Sequence, residues 1–319
     1  MSNHKKKKEE YVKQHIVPTS YLKRFARRNN HKDYYIGVRR ITDNGKVRLF
    51  SSNTRDIGYV CNYYDVNSIH ADPKYWEHFF SRELEPMYGN DLNRIIAKVV
   101  LNATDNNVLG DEDKTILAKM ICFQFARVPA FVNSFITRGI EYGEAITKQF
   151  QPYLEKQLGS RFDDIVSMAT NLDNVKDIIL EGITNKERLQ KYADIMRNRV
   201  WLVLYNKTHM PFYTSDNPVI MYNVNLKSVE YADIGIARND TTLYFPISNR
   251  IMILVLPGLV LSDELKSDLD RKRIILNESE LNFVMNVNMM QMEHASKDAF
   301  MDPEHLNYIK GMDQICYQQ

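Results

Sequence analysis

Cysteine is scarce in this sequence, and its three cysteines form no recognisable pattern. Cys61, Cys122 and Cys316 are odd in number and include no pair at the spacing of a metal-binding CxxC motif. A scattered, odd set is typical of a reduced compartment and does not fit a disulfide framework. We therefore do not expect a structural zinc site.

Long apolar runs are also missing. No stretch of about 18 apolar residues is available to span a bilayer. The Lys-rich segment 1–10 has no apolar segment behind it, unlike a secretory signal. With 44% hydrophobic residues among 319, the chain still has ample side chains for a core. The sequence therefore predicts a globular, cytoplasmic protein without a membrane partner.

Established catalytic fingerprints are absent as well. The sequence has no HExxH pair, no GxSxG elbow, no P-loop and no dinucleotide-binding glycine motif. No known chemistry is signalled by a motif, so candidate site residues have to come from the placement of polar side chains.

What the sequence does have is a strong asymmetry of charge, hidden by a formal net charge of +2. Residues 1–40 contain 12 Lys and Arg against 3 Asp and Glu, a net +9, which leaves 30 against 37, or −7, for the rest. The predicted short N-terminal helix adds Lys23, Arg24 and Arg27 as a basic ridge. A basic segment of this kind is typical of proteins that bind a polyanion such as nucleic acid. The lysines at 5–8 are equally typical of a solvated, disordered tail.

The order of periodic segments predicts an α+β fold. Asn-Gly at 44–45, between two strand-like runs, indicates a β-hairpin after the N-terminal helix. Residues 73–199 keep a helical pattern, with breaks expected at Pro86 and Pro129. Over residues 200–257 the pattern changes to short apolar and β-branched runs, whose short links favour a mainly antiparallel sheet.

The C-terminal part is expected to add a helix that packs on this sheet. Asn277, with Glu280 three residues later, is a capping-box-like helix start. One of the expected strands covers residues 229–236. The domain prediction is a basic disordered tail over 1–10 and a single α+β domain over 11–319.

The clearest polar cluster lies between two strand-forming runs. Thr214, Ser215, Asp216 and Asn217 follow one another there, and Pro218 forces Asn217 out of the helical region. In such a turn Asp216 either accepts hydrogen bonds from nearby backbone N–H groups or points into a cleft as a metal ligand or base. Both interpretations stay open.

Two charged side chains are expected to point into the protein. Glu83 and Arg127 each lie on an otherwise apolar helix face, whereas Glu77 and Glu85 are expected in solvent. A buried unpaired charge costs several kcal/mol, so we predict that Arg127 pairs with Glu83 or Asp216.

Five segments together resemble domain-of-unknown-function family 4238. They are QHxVPxxYLxxFA at 14–26, the tyrosine pair at 63–64, the Glu-containing helix at 77–85, RxP at 127–129 and TSDxP at 214–218. The resemblance spans nearly the whole chain and implies a bacterial or phage-related protein of unassigned activity. It also implies that His15, Arg127 and Asp216, the polar positions of the pattern, act together.

The first functional hypothesis is a metal-dependent, nuclease-like hydrolase acting on nucleic acid. His15 and Asp216 would be its catalytic residues, and Asp216 with Glu83 would bind Mg²⁺ or Mn²⁺. The substrate would be held by Lys23, Arg24, Arg127 and Ser215.

The second hypothesis is a non-catalytic binding or regulatory protein. In it, His15, Arg127 and Asp216 form a buried polar network that specifies the structure without performing chemistry. A cleft that reaches His15 and Asp216 favours the enzyme, and complete burial favours the network. The oligomeric state stays open.

Overall fold

A small N-terminal sheet fixes the position of His15. The computed structural model describes residues 13–65, 72, 74–163, 166–167, 171–230, 234–258 and 261–310. In it, strand β1 (Lys13–His15) pairs antiparallel with β5 (Tyr59–Cys61). Helix α1 (Thr19–Leu22) follows Pro18 and buries Tyr21 and Leu22. The predicted N-terminal helix is therefore present, but it is a single turn.

A second sheet is built on the predicted hairpin. Strands β3 (Tyr34–Ile41) and β4 (Val47–Asn53) pair around a turn in which Gly45 has a φ of +74°, a left-handed conformation that glycine adopts without steric cost. The other partners of β3 are β2 (Arg27–Arg28) and β12 (Asp298–Met301), and β12 pairs in turn with β7 (Thr214–Ser215). The strand before Asp216 is therefore joined to the C-terminal part of the chain.

The middle of the chain is helical, as predicted. Its helices include α2 (Tyr75–Pro86), α3 (Leu92–Leu101), α4 (Asp111–Arg127), α5 (Pro129–Leu158), α6 (Leu172–Thr184) and α7 (Lys186–Arg197). A π-helical turn follows Pro86, whose ring lacks the N–H of a regular helical hydrogen bond. Pro129 opens α5, where a missing N–H costs little. Both predicted breaks are therefore confirmed.

The central sheet follows the helices in sequence. Its spatial order is β11 (Lys272–Leu276), β6 (Trp201–Asn206), β10 (Ile251–Val255), β9 (Thr241–Pro246) and β8 (Ile220–Asn223). Neighbours are antiparallel except β11 and β6. That pair is parallel because helix α8 (Asp263–Leu269) carries the chain from β10 to the far side of β6.

The central sheet separates two hydrophobic cores. Trp201 and Val203 belong to the larger core with the helices. Leu202 and Leu204 instead pack with Val284 of α9 (Leu281–Glu293) on the opposite face, as the two-residue side-chain period of a strand requires. The C-terminal helix therefore packs on the sheet as predicted.

The α+β fold class is confirmed, with differences inside the expected sheet region. β7 belongs to the hairpin sheet, and β11 extends the central sheet beyond residue 257. Residues 229–230 and 234–236 form no strand, and 231–233 lie outside the described residues. The tail at 1–10 also lies outside them, and the single domain stays a prediction.

Within the described ranges, no single helix is both long and apolar enough to cross a bilayer. The bent pair Asp111–Phe125 and Pro129–Ala145 passes that test only when its two halves are taken together.

Candidate functional site

Arg127 is a buried cation that joins the helical region to the N-terminal segment. It ends α4 and is 3% exposed. Its Nε donates a hydrogen bond to the Tyr64 hydroxyl at 3.2 Å, and its Nη2 donates to the backbone carbonyl of His15. The guanidinium also lies 5.1 Å from the ring centre of Phe80, within cation–π range. Arg127 therefore holds together three segments that are far apart in sequence.

Neither predicted partner of Arg127 pairs with it. Glu83 accepts a hydrogen bond from its neighbour Arg82 at 3.1 Å. Asp216 accepts hydrogen bonds from the backbone of residues 296–298. The prediction of an ion pair between Arg127 and Glu83 or Asp216 is therefore wrong.

The carboxylates that act on Arg127 belong to Glu77 and Glu85, which the sequence placed in solvent. Burial alone would lower the pKa of Arg127, but Tyr64, Glu85 and Glu77 outweigh burial and raise it. Glu77 follows the buried Trp76 directly and so borders the apolar face of α2. The positive charge of Arg127 is thus balanced by the nearby carboxylates of Glu77 and Glu85, although Arg127 forms a direct ion pair with neither.

His15 is held neutral by its surroundings. Burial lowers its pKa to about 4, and the Arg127 guanidinium adds to this effect. His15 Nε2, Arg127 Nη1 and Glu77 Oε2 are buried and have no hydrogen-bond partner among the described residues. An imidazole with so low a pKa is a weak general base at neutral pH. The cluster therefore favours the structural interpretation of His15.

We expect the stability that depends on neutral His15 to be lost in acid. Its pKa is lowered from 6.5 to about 4 in the folded protein, so the unfolded chain binds the proton first as the pH falls. The contribution is present above pH 6.5 and declines toward pH 4, by about 2 kcal/mol between pH 8 and pH 5. Urea unfolding of the wild type and His15→Gln across this range measures it. A stability difference that stays constant with pH would contradict the shielding of His15.

Asp216 is a buried carboxylate that binds three backbone N–H groups. Its Oδ1 accepts from Ser296 at 2.7 Å, and its Oδ2 accepts from Lys297 at 2.7 Å and from Asp298 at 3.0 Å. Asp216 is 4% exposed, and burial raises its pKa to about 7 although these donors act in the opposite direction. Asp216 therefore fixes the end of β7 against the segment that enters β12, the turn-stabilising role that the sequence left open.

Ser215 is also committed to the fold. Its Oγ donates to Gln291 Oε1 at 2.8 Å, and Gln291 Nε2 donates to the Pro218 carbonyl at 3.0 Å. Both Ser215 and Gln291 are fully buried, so Ser215 links β7 to α9 inside the protein. Sequence reasoning missed Gln291, which lies three residues after the equally buried Asn288 on α9.

The two predicted metal ligands have separate hydrogen-bond partners in the described part of the chain. Asp216 binds the backbone of residues 296–298, and Glu83 binds Arg82. No group of three or more His, Cys, Asp or Glu side chains is arranged to hold a metal ion among the described residues. His15 and Asp216 likewise have separate partners, and their shared catalytic role stays a prediction.

The basic ridge is largely engaged in internal contacts. Arg24 donates to the Tyr88 carbonyl at 2.6 Å, and burial lowers its pKa to about 10. Arg27 forms an ion pair with Asp302 at 2.8 Å. Of the three ridge side chains, only that of Lys23 makes no ion pair or hydrogen bond among the described residues, and its ammonium lies 5.3 Å from the ring centre of Tyr34. A nucleic-acid partner for the N-terminal region stays a prediction that depends mainly on residues before 13.

A partly enclosed apolar cavity lies among α4, α5, α6, α7 and the loop at 234–237. Its volume is about 450 Å³. Most of its wall is aliphatic or aromatic, and includes Phe125, Phe131, Phe135, Ile179, Leu189 and Met221. Two lining residues add polar groups, namely Arg188 and Tyr192. Neither His15 nor Asp216 lines it.

Sequence reasoning missed this cavity because no local pattern signals it. Its wall comes from four helices, β8 and a loop, and most of these helices were interpreted as scaffold. In the structure, two large apolar side chains of the cavity wall reach the surface. Phe135 and Ile178 are 42% and 66% exposed and line the cavity. Burial raises the pKa of the Cys122 thiol to about 12, so Cys122 is an apolar wall residue and not a reactive thiol.

Comparison with known proteins gives one match. A family model described as a protein of unknown function, DUF4238, matches residues 13–305. No curated protein and no solved structure is significantly similar to the chain.

Proposed function

The chain belongs to the family DUF4238, described as proteins of unknown function, and from this premise we propose that it is a non-catalytic binding protein for a small, largely apolar molecule. The observation that carries the proposal is the 450 Å³ cavity. Ligand sites are usually concave, mostly apolar, about 300–1,000 Å³ in volume and supplied with a few polar groups. The cavity has the size and the wall of such a site.

The two polar clusters support a binding protein because Arg127, through Nε and Nη2, and Asp216, through both oxygens, form hydrogen bonds within the fold. Arg127 donates to a backbone carbonyl and a tyrosine hydroxyl, and both oxygens of Asp216 accept backbone N–H groups. Side chains used in this way specify and stabilise a structure. In our proposal they form the frame that holds the helices around the cavity.

The metal-dependent hydrolase stays a prediction, as do the cytoplasmic location and the bacterial or phage-related origin. Metal-dependent cleavage of RNA or DNA by the full chain would overturn the proposal if His15→Ala and Asp216→Ala abolished it at a temperature where both variants are folded. Cleavage that survives both substitutions would point to a contaminant.

We expect the protein to bind a neutral apolar fluorophore such as N-phenyl-1-naphthylamine at one saturable site. A ligand that binds the folded state alone stabilises it, by about 2.7 kcal/mol at a concentration 100 times its Kd. Titration followed by fluorescence and by thermal unfolding measures both effects. Filling the cavity with Cys122→Phe should remove both.

The matched control is Cys61→Phe, the same substitution at an exposed cysteine outside the cavity. It should leave the titration unchanged. The proposal fails if the wild type does not bind, or if a folded Cys122→Phe variant binds as well as the wild type.

A further inference from the structure

Arg188 is the one charged side chain among the described residues that line the cavity. It lies on α7, where Tyr192 follows four residues later on the same helix face. Its Nη1 makes a 3.3 Å hydrogen bond to the Gly182 carbonyl, and no carboxylate of the described part of the chain pairs with it. Arg188 is exposed to solvent, so it places a positive charge at the rim of an apolar cavity.

We propose that the ligand is an amphipathic anion, a medium-chain carboxylate whose alkyl chain fills the cavity and whose carboxylate binds Arg188. This inference rests on the proposed function and adds the chemical class of the ligand. A guanidinium is the side chain best suited to a carboxylate, because its planar fork can donate two parallel hydrogen bonds.

The cavity is large enough for an alkyl chain. Its volume of about 450 Å³ is roughly three times the ~150 Å³ of an apolar cavity known to hold benzene. Phe131 and Leu189 contribute apolar surface inside. Ile178 is 66% exposed, which marks where the wall reaches solvent. An alkyl chain with a single charged end matches this distribution of polarity.

A neighbouring cavity determines which way the ligand lies. It has a volume of about 220 Å³ and shares Phe125, Met221 and Ile234 with the apolar cavity. Its wall contains Glu230 and Glu293, whose negative charges would repel a carboxylate. We therefore expect the carboxylate of the ligand at Arg188 and its alkyl chain directed away from Arg188.

Competition with the bound fluorophore tests the ligand class. We would compare octanoate, decanoate and dodecanoate with 1-decanol and decyltrimethylammonium. Affinity should rise about fourfold with each methylene that enters the cavity. Decanoate should bind about fivefold more tightly than 1-decanol, and the cation should bind more weakly than both.

Arg188→Gln should remove the preference for decanoate over 1-decanol, measured as the ratio of the two affinities in the same variant. Arg188→Lys should restore part of the preference, since it keeps the charge and loses the fork. Arg197→Gln is the matched control, because it removes a charge from the same helix outside the cavity wall. It should keep the preference.

A second pair of variants tests the charge without touching Arg188. Ile178→Asp should weaken decanoate binding and Ile178→Lys should not, whereas both should bind 1-decanol equally. If 1-decanol binds and Arg188→Gln leaves the decanoate preference intact, the ligand class is wrong and the binding function stands. If the wild type binds the fluorophore and neither decanoate nor 1-decanol displaces it, the ligand class is likewise wrong, whereas both proposals fail if the wild type does not bind the fluorophore.

Discussion

Replacing Arg127 by alanine should destabilise the protein by about 3–5 kcal/mol, the loss expected when one member of a buried charge network is removed. The substitution leaves the Tyr64 hydroxyl and the His15 carbonyl without their donor. It also removes the packing of the guanidinium over the Phe80 ring and leaves a cavity between three segments. Urea unfolding at pH 7 measures the loss.

Two further substitutions separate charge from hydrogen bonding at this position. Arg127→Met keeps much of the volume and loses both hydrogen bonds, so it should cost less than alanine and still about 1–3 kcal/mol. Arg127→Lys keeps the charge but not the fork, and should not restore the wild-type stability. Arg161→Ala, at an exposed position, is the control and should change stability by no more than about 0.5 kcal/mol. A loss below about 1 kcal/mol for Arg127→Ala would contradict the buried network.

Much of the fold was predictable because its signals are local. Asn-Gly fixes the β3–β4 hairpin, and Pro86 and Pro129 fix breaks between helices, because each residue restricts its own backbone. The strands β7 and β12 carry weaker signals, with two and four residues. Their pairing joins segments that are about 80 residues apart, and short runs of that kind do not reveal their partners. The parallel position of β11 likewise depends on the path of α8.

The candidate site was less predictable because it depends on distances between segments. Periodicity correctly indicated that Arg127 points inward, since an arginine among apolar residues on one helix face has few other orientations. It did not indicate which carboxylate of α2 is near. Glu77 and Glu83 lie about 120° apart around the helix axis, and the packing of Trp76 and Phe80 decides which of these sides faces Arg127. The cavity had no local signal at all.

Asp216→Asn should reveal a pH dependence that the wild type nearly conceals. Burial raises the pKa of Asp216 from 3.8 to about 7, and the Asp298 carboxylate acts in the same direction while three backbone donors oppose it. Because the folded-state pKa is raised, the folded protein keeps the proton that the unfolded chain has lost. The resulting stability is present below pH 3.8 and is lost as the pH rises through 7, by about 2–3 kcal/mol between pH 5 and pH 8.

His15 acts in the opposite direction over the same range, since its lowered pKa of about 4 makes the protein gain about 2 kcal/mol between pH 5 and pH 8. The two contributions nearly cancel in the wild type. Asp216→Asn should therefore become more stable from pH 5 to pH 8 relative to the wild type, and His15→Gln should become less stable relative to it. The double variant should follow the wild type again, because it lacks both groups.

Urea unfolding of the four proteins at pH 5, 6, 7 and 8 measures these slopes. If Asp216→Asn runs parallel to the wild type, the three N–H donors offset the cost of burying the carboxylate, and the raised pKa of Asp216 is refuted.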